Sequence, residues 1–180
     1  MNITSSISNQ ISNPKNIRDN LSYPNEIIVK PTTYDESKTD IYFNILPGRH
    51  IKESIVVKKY ILNKRKIEAV FDRKYFTDMK KSPSHLIFLS SLVHLQKMIY
   101  LYMSYELGYP IKVNSDEHMK IWPTKISVDL PKLITKKNDL TQIIKIINLK
   151  KTSPKSYFGK CLSVIEGKTF ISADAAIYLI

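Results

Sequence analysis

The stretch that most limits what this chain can become runs from Ser82 to Gly108, read as SPSHLIFLSSLVHLQKMIYLYMSYELG. Ser82 has the side-chain oxygen of a helix N-cap, Pro83 suits the first helical position, and Gly108 suits the stop. Between them apolar residues stand almost all round the helical wheel, the mark of a helix buried on most sides. Ser90, Ser91, His94, Gln96 and Lys97 interrupt the apolar run too early for a membrane span. A buried helix needs a wrapper, and the segments on either side read as strands. Chemistry is expected where the helix begins. Its first N–H groups lack intrahelical partners and carry partial positive charge, so they can hold a carbonyl oxygen or an anion.

The chain ahead of this helix has two textures. Residues 1–39 are polar and rich in Ser and Asn, and read as a flexible tail. Its apolar patch, Ile27 to Val29, is expected to lie on the domain surface or to meet a partner. The folded domain is expected over residues 40–180. DIYFNIL alternates from Asp40 until Pro47-Gly48 breaks it, with Ile41, Phe43 and Ile45 on one face. Glu53 to Leu62 is rich in β-branched residues, Asn63-Lys64-Arg65 reads as a turn, and Lys66 to Asp72 alternates again, so the pair predicts an antiparallel hairpin. Arg73 to Lys81 reads as a basic loop leading into the helix.

After Gly108, residues 109–122 give a connection of no regular pattern. Lys125 to Leu133 alternates, with Ile126, Val128 and Leu130 read as inward and Pro131 suggesting an edge or a bulge. Thr141 to Leu149, Ser156 to Ile165 and Thr169 to Ile180 read as further strands, with a turn at Glu166-Gly167-Lys168. The last strand is small-residued in its middle, as where a strand packs closely on a helix. One strand, a hairpin, one long buried helix and a four-stranded meander predict an α+β chain whose antiparallel sheet wraps the helix. By analogy, this is the element order of the hotdog fold.

At 180 residues with 43% apolar composition, the chain fits one domain with a proper core. The formal net charge of +12 favours nucleic acid, anionic membranes or an acidic or phosphate-bearing substrate. A Lys-, Ile- and Asn-rich chain also carries such charge through plainly solvated lysines. Cys161 is the one cysteine, so no intramolecular disulfide forms. No charged-then-apolar leader opens the sequence, which predicts a cytoplasmic protein.

On the helix, Ser90, His94 and Lys97 share one stripe, read as a solvent or subunit-contact face. His85, Leu89, Gln96, Tyr100 and Met103 share another, mostly apolar and read as buried, which would leave His85 and Gln96 needing partners or a task. The plain alternative weighs equally: Gln96 bonds a strand backbone and His85 caps the helix start. The four histidines show no metal-ligand spacing, and the four glycines make no phosphate loop or Gly-x-Ser-x-Gly nucleophile turn. Neither a metal nor a cofactor is expected. Tyr75 stands out only by its place just before the helix, and a core or rim aromatic is its simpler account.

Tyr75-Phe76, Ser84-His85-Leu86 and His94-Leu95-Gln96-Lys97-Met98-Ile99-Tyr100 resemble the FcoT-like hotdog family. These are long-chain fatty acyl-CoA thioesterases, with some members assigned glycine addition to an enoyl chain on acyl carrier protein. The resemblance covers roughly residues 40–180, including a last hairpin in SVIEGKTFISADAAIYLI, and rests on short motifs. It implies Tyr75, His85 and Gln96 as catalytic residues and Tyr42, Ser84, Leu89 and Tyr100 as substrate-binding ones. Gln96 stands where the family has Asn, and Lys97 where it has Gln. The longer amide displaces a carbonyl contact by a methylene. The helix holds no Asp or Glu before Glu106, which counts against dehydratase-type work by a helix carboxylate.

The mechanism so implied docks a thioester carbonyl near Ser84 and His85, where backbone N–H groups stabilise the oxyanion. Gln96 or Tyr75 holds a water or amine, and the acyl chain follows the apolar helix face. The basic surface takes the phosphates of coenzyme A or an acidic carrier protein. A homodimer is expected, as hotdog domains commonly pair. Two alternatives compete: a catalytically inactive hotdog that binds an acyl chain or scaffolds a partner, and a nucleic-acid-binding domain. The scatter of basic residues along the chain and the lack of a recognition motif count against the latter.

Overall fold

The computed structural model describes residues 26–32, 37–47, 49–78, 86–109 and 119–180. Strands β1 (Ile27–Val29), β2 (Lys38–Leu46), β3 (Arg49–Asn63) and β4 (Lys66–Thr77) precede helix α1 (Phe88–Glu106). Strands β5 (Met119–Asp129), β6 (Leu140–Ser153), β7 (Ser156–Ile165) and β8 (Thr169–Leu179) follow it. They form one antiparallel sheet in the order β1-β3-β4-β6-β7-β8-β5, with β2 also on β3. The strand after the helix therefore does not join the meander at its near side. It crosses to the far edge, beside β8. An antiparallel sheet curled round one long helix in this order is the hotdog fold.

Period-2 patterning builds the inner face. Ile55, Val57, Ile67, Ala69, Phe71, Leu140, Ile144, Ile171 and Ile177 are all buried in one core cluster with Leu95, Met98, Leu101 and Met103 of α1. The predicted hairpin pairs Asn63 with Lys66 through a turn in which Arg65 has φ 63°. The sheet takes in pieces of the segment read as a tail, since Ile27–Val29 pairs with Tyr60–Leu62 and β2 starts at Lys38. The basic loop expected from Arg73 is strand as far as Thr77. The pattern-free connection is also strand from Met119, so Trp122 lies within β5. Pro123 sits at a bulge of this edge strand, while Pro131 falls beyond it.

The helix ends as its sequence predicts and starts elsewhere. Gly108, at φ 71°, gives its N–H to Tyr105 O at 3.3 Å, and Tyr109 N–H reaches Ser104 O at 2.8 Å. This is a Schellman stop. The N-cap is Ile87, extended at φ −79° and ψ 133° with no side-chain cap of its own, in place of the expected Ser82. Ser82, Pro83, Ser84 and His85 lie outside the described residues.

The two helix stripes are largely inverted relative to expectation, although Met103 of the second is buried as expected. Ser90, Ser91 and His94 are buried, while Leu89 and Gln96 are exposed and Tyr100 is half-buried. Small or hydrogen-bonding side chains can face a sheet that offers them partners, and polarity alone does not reveal this. On β5, Ile126 and Val128 do share the inner face, paired with Ala173 and Ile171. Leu130 lies past the strand and is exposed.

Candidate active site

The sheet places charge at the start of α1. Glu53 and Arg73 occupy inward positions of β3 and β4, and neither side chain has any exposed area. Arg73 Nε–H donates to Glu53 Oε1 at 2.6 Å, and Glu53 Oε2 accepts the Ile87 N–H at 3.1 Å. The carboxylate thus takes over the capping that no local side chain supplies. Both Nη atoms of Arg73 are buried without a hydrogen-bond partner among the described residues. Its guanidinium carbon lies 5.5 Å from the centre of the Tyr75 ring, and Tyr75 pairs with Glu53 in register. Three buried or half-buried groups therefore gather where the helix N–H groups open.

A second buried polar chain runs under the next turn. His94 Nδ1 is 2.8 Å from Gln142 Oε1, and Gln142 Nε2–H donates to Ser163 Oγ at 2.9 Å. Phe71 meets the imidazole edge-on at 4.9 Å between centroids. Burial pushes His94 down to about 4, opposed by the Gln142 hydrogen bond and aided by Lys97. It is therefore neutral at physiological pH. With Gln142 Oε1 able only to accept, the proton sits on Nδ1. Nε2, Ser90 Oγ and Tyr60 OH are buried without hydrogen-bond partners among the described residues.

On the opposite side of α1 lies an apolar cavity of about 160 Å³. Leu92, Leu95, Ile99 and Met103 form its roof, and Ile146, Ile177 and Cys161 its floor. Gly159, Ala173 and Ala175 line it as well, so the small residues of β7 and β8 leave space rather than closing tightly on the helix. Its mouth opens at the β5 edge between Val93 and Gln96 on one side and Pro123 and Ile126 on the other. Burial lifts the Cys161 thiol to about 11, so it stays protonated and serves as wall rather than nucleophile. Leu89, Val93 and Gln96 follow i, i+4, i+7 spacing, an exposed track from the helix start to this mouth.

The residues singled out by the sequence are distributed between these regions. Tyr75 joins the helix-start cluster, Gln96 lines the cavity, and Leu89 lies on the track between them. Tyr75 and Gln96 stand on opposite sides of α1. Tyr100 packs against the core. Tyr42 is 58% exposed on the outer face of β2, its ring 5.3 Å from that of His50. His85 and Ser84 are outside the described residues. Glu53, Arg73, His94, Gln142 and Ser163 were not read as site residues from the sequence. A charged residue in step with the inward Ile55 and Val57 is the signal for Glu53. Among the described residues, no group of three or more His, Cys, Asp or Glu could hold a metal ion. No described helix is long and apolar enough to cross a membrane.

No family model matches the chain, and no curated protein matches it. Solved structures do resemble it. A mutant of the thioesterase PA1618 from Pseudomonas aeruginosa has 8% identity and a TM-score of 0.44, over 70% of this chain and 82% of that one. The thioesterase HI1161 from Haemophilus influenzae has 12% identity and a TM-score of 0.43, over 69% and 78%. The PaaI protein of the E. coli phenylacetic acid degradation operon has 9% identity and a TM-score of 0.37, over 71% and 79%.

Proposed function

We propose that this chain is a hotdog enzyme acting on fatty acyl thioesters, with the acyl group lodged in the cavity beneath α1. The cavity is the observation that carries the reading: a nearly all-apolar space with an open mouth beside an exposed amide, Gln96. The N-cap Ile87 lies five residues before Leu92, about 7.5 Å at 1.5 Å per residue. A carbonyl held by the first helical N–H groups could therefore send its chain along Leu89 and Val93 into the cavity. Glu53 takes the Ile87 N–H and no side chain of the N-cap residue takes the next donors, so a carbonyl oxygen would rest on the N–H groups that follow Ile87. Tyr75 and Gln96 are the candidates to hold the water or amine, Tyr75 beside the helix start and Gln96 at the mouth. The +12 charge suits the phosphates of coenzyme A or an acidic carrier protein. The open edge of β5, Met119–Asp129, offers backbone pairing to a second copy and so supports a homodimer.

A binding-only reading also has a specific support: among the described residues, no carboxylate lines the cavity. The test is incubation with saturated and α,β-unsaturated acyl-CoAs, with and without glycine, following thiol release and adduct mass. Thiol release is the expected result. A glycine adduct without thiol release would move the reaction to amine addition. Saturable acyl binding without turnover, on coenzyme A and carrier protein alike, would make the chain an acyl-binding protein.

A further inference from the structure

The outer face of the β5-β8-β7-β6 half has no role in that reaction. Strand register fixes what it carries. Trp122 and Phe158 both pair with Ala176, one from each side, and Tyr178 lies two residues further along β8. Tyr178 is thus a diagonal neighbour of both, about 7–8 Å away. These rings are not core residues that happen to lie near the surface: Trp122 is 70% exposed, Tyr178 51% and Phe158 38%.

Lysines surround the rings. Lys120 pairs with Tyr178, Lys150 with Phe158, and Lys125 and Lys160 flank Asp174, while Lys145 stands opposite Leu162. All five are exposed, and none forms an ion pair among the described residues. Asp174 is the one acid among them. Residues scattered from 120 to 178 in sequence therefore meet on one sheet face, because each is the outward member of an alternating pair.

We infer that this face binds single-stranded nucleic acid, the bases stacking on Trp122, Tyr178 and Phe158 while the lysines contact phosphates. Exposed ring faces set among cations match the two needs of an unpaired strand, a stacking platform and a track of positive charge. A duplex hides its base faces in its own stack, and the broad outer face of a curled four-stranded sheet enters neither groove, so duplex is the poorer ligand. An anionic lipid surface would call for Trp, Phe or Leu side chains gathered on one apolar face, apart from the basic ones. Here the lysines are interleaved with the rings.

Trp122 is the only tryptophan in the chain, so its fluorescence reports on this face alone. The full chain should be titrated with a single-stranded RNA of roughly 12 nucleotides, a site-sized length. The same sequence as duplex, coenzyme A alone, and vesicles of phosphatidylcholine with phosphatidylserine complete the comparison. Quenching is expected with the single strand. Trp122→Phe should retain binding by anisotropy. Phe158→Ala or Tyr178→Ala should weaken it about 5- to 150-fold, with unchanged circular dichroism. Lys120→Ala and Lys150→Ala should each reduce the slope of log affinity against log salt by about 0.7. Equal affinity for duplex, or affinity untouched by the ring substitutions, would overturn the inference. So would quenching by coenzyme A or by vesicles in place of RNA.

Discussion

Glu53 and Arg73 form an ion pair at 2.6 Å with neither side chain exposed, and the same carboxylate receives the N–H of the residue that starts α1. A buried charge that loses its partner is far costlier than the pair itself. Glu53→Ala should therefore destabilise by about 3–5 kcal/mol, leaving Arg73 uncompensated and Ile87 uncapped. Replacing both residues together with apolar side chains of similar volume should recover most of that loss. Urea midpoints of the single and double variants decide this. A double variant as unstable as Glu53→Ala would mean that the pair is not the origin of the effect.

His94 gives the fold a defined acid sensitivity. Its folded value is about 4 because burial disfavours the cation, against 6.5 in the unfolded chain. Between these values the unfolded chain takes up a proton that the folded chain refuses. The contribution is therefore fully present above about pH 6.5 and is lost as pH falls towards 4, to a total of about 3 kcal/mol. The Asp40, Asp72 and Glu166 carboxyls sit below their ordinary values, partial burial acting the other way but outweighed by lysine and other hydrogen-bond donors. Their contributions fade only at still lower pH. Denaturation midpoints at pH 7.5 and pH 5 should differ for the natural chain, and much less for His94→Gln. Equal pH dependence in both would place the sensitivity elsewhere.

The contrast between these residues shows what sequence can carry. Alternation in Lys66–Asp72 and the Gly108 stop were legible because each depends only on neighbours in the chain. The inward position of Arg73 was hidden by the basic run RKYFTDMKK, which reads as solvated until strand pairing continues through it. His94 looked outward because its acceptor, Gln142, lies 48 residues away on β6. The far-edge place of β5 depends on the crossover, which no local pattern encodes. The cavity arises from small residues on two strands, and their smallness alone suits close packing as well as empty space.

Gln96 and Tyr75, on opposite sides of α1, should give separable phenotypes with acyl-CoA. Gln96→Ala alters the cavity mouth and is expected to lower kcat/KM about 10- to 100-fold if it positions the attacking group. Tyr75→Phe removes only the hydroxyl beside the Arg73 cluster, and should act on kcat with little change in KM if that hydroxyl works in the transition state. Stopped thiol release with both variants still folded would support the proposed chemistry. Full activity in both would remove these residues from it.

The cavity itself provides the sharpest separation of binding from folding. An apolar cavity of about 150 Å³ can take up small apolar ligands, and this one is of that size. Gly159 has no steric need for its missing side chain: an added Cβ would meet Leu149 Cδ1 at 3.5 Å and Ile177 Cδ1 at 3.6 Å, ordinary contacts. Gly159→Ala and Ala175→Leu should therefore fill space rather than strain the sheet, leaving the melting temperature unchanged or raised. Each should weaken acyl binding, Ala175→Leu by about tenfold or more, since a few buried methylenes at about 0.8 kcal/mol each lose their place. Met103→Ala should do the opposite, extending the accepted chain while costing about 2–5 kcal/mol of stability. Displacement of a fluorescent fatty acid, read beside the melting temperature, distinguishes the cases. Affinity unchanged by Ala175→Leu would mean that the acyl chain lies elsewhere.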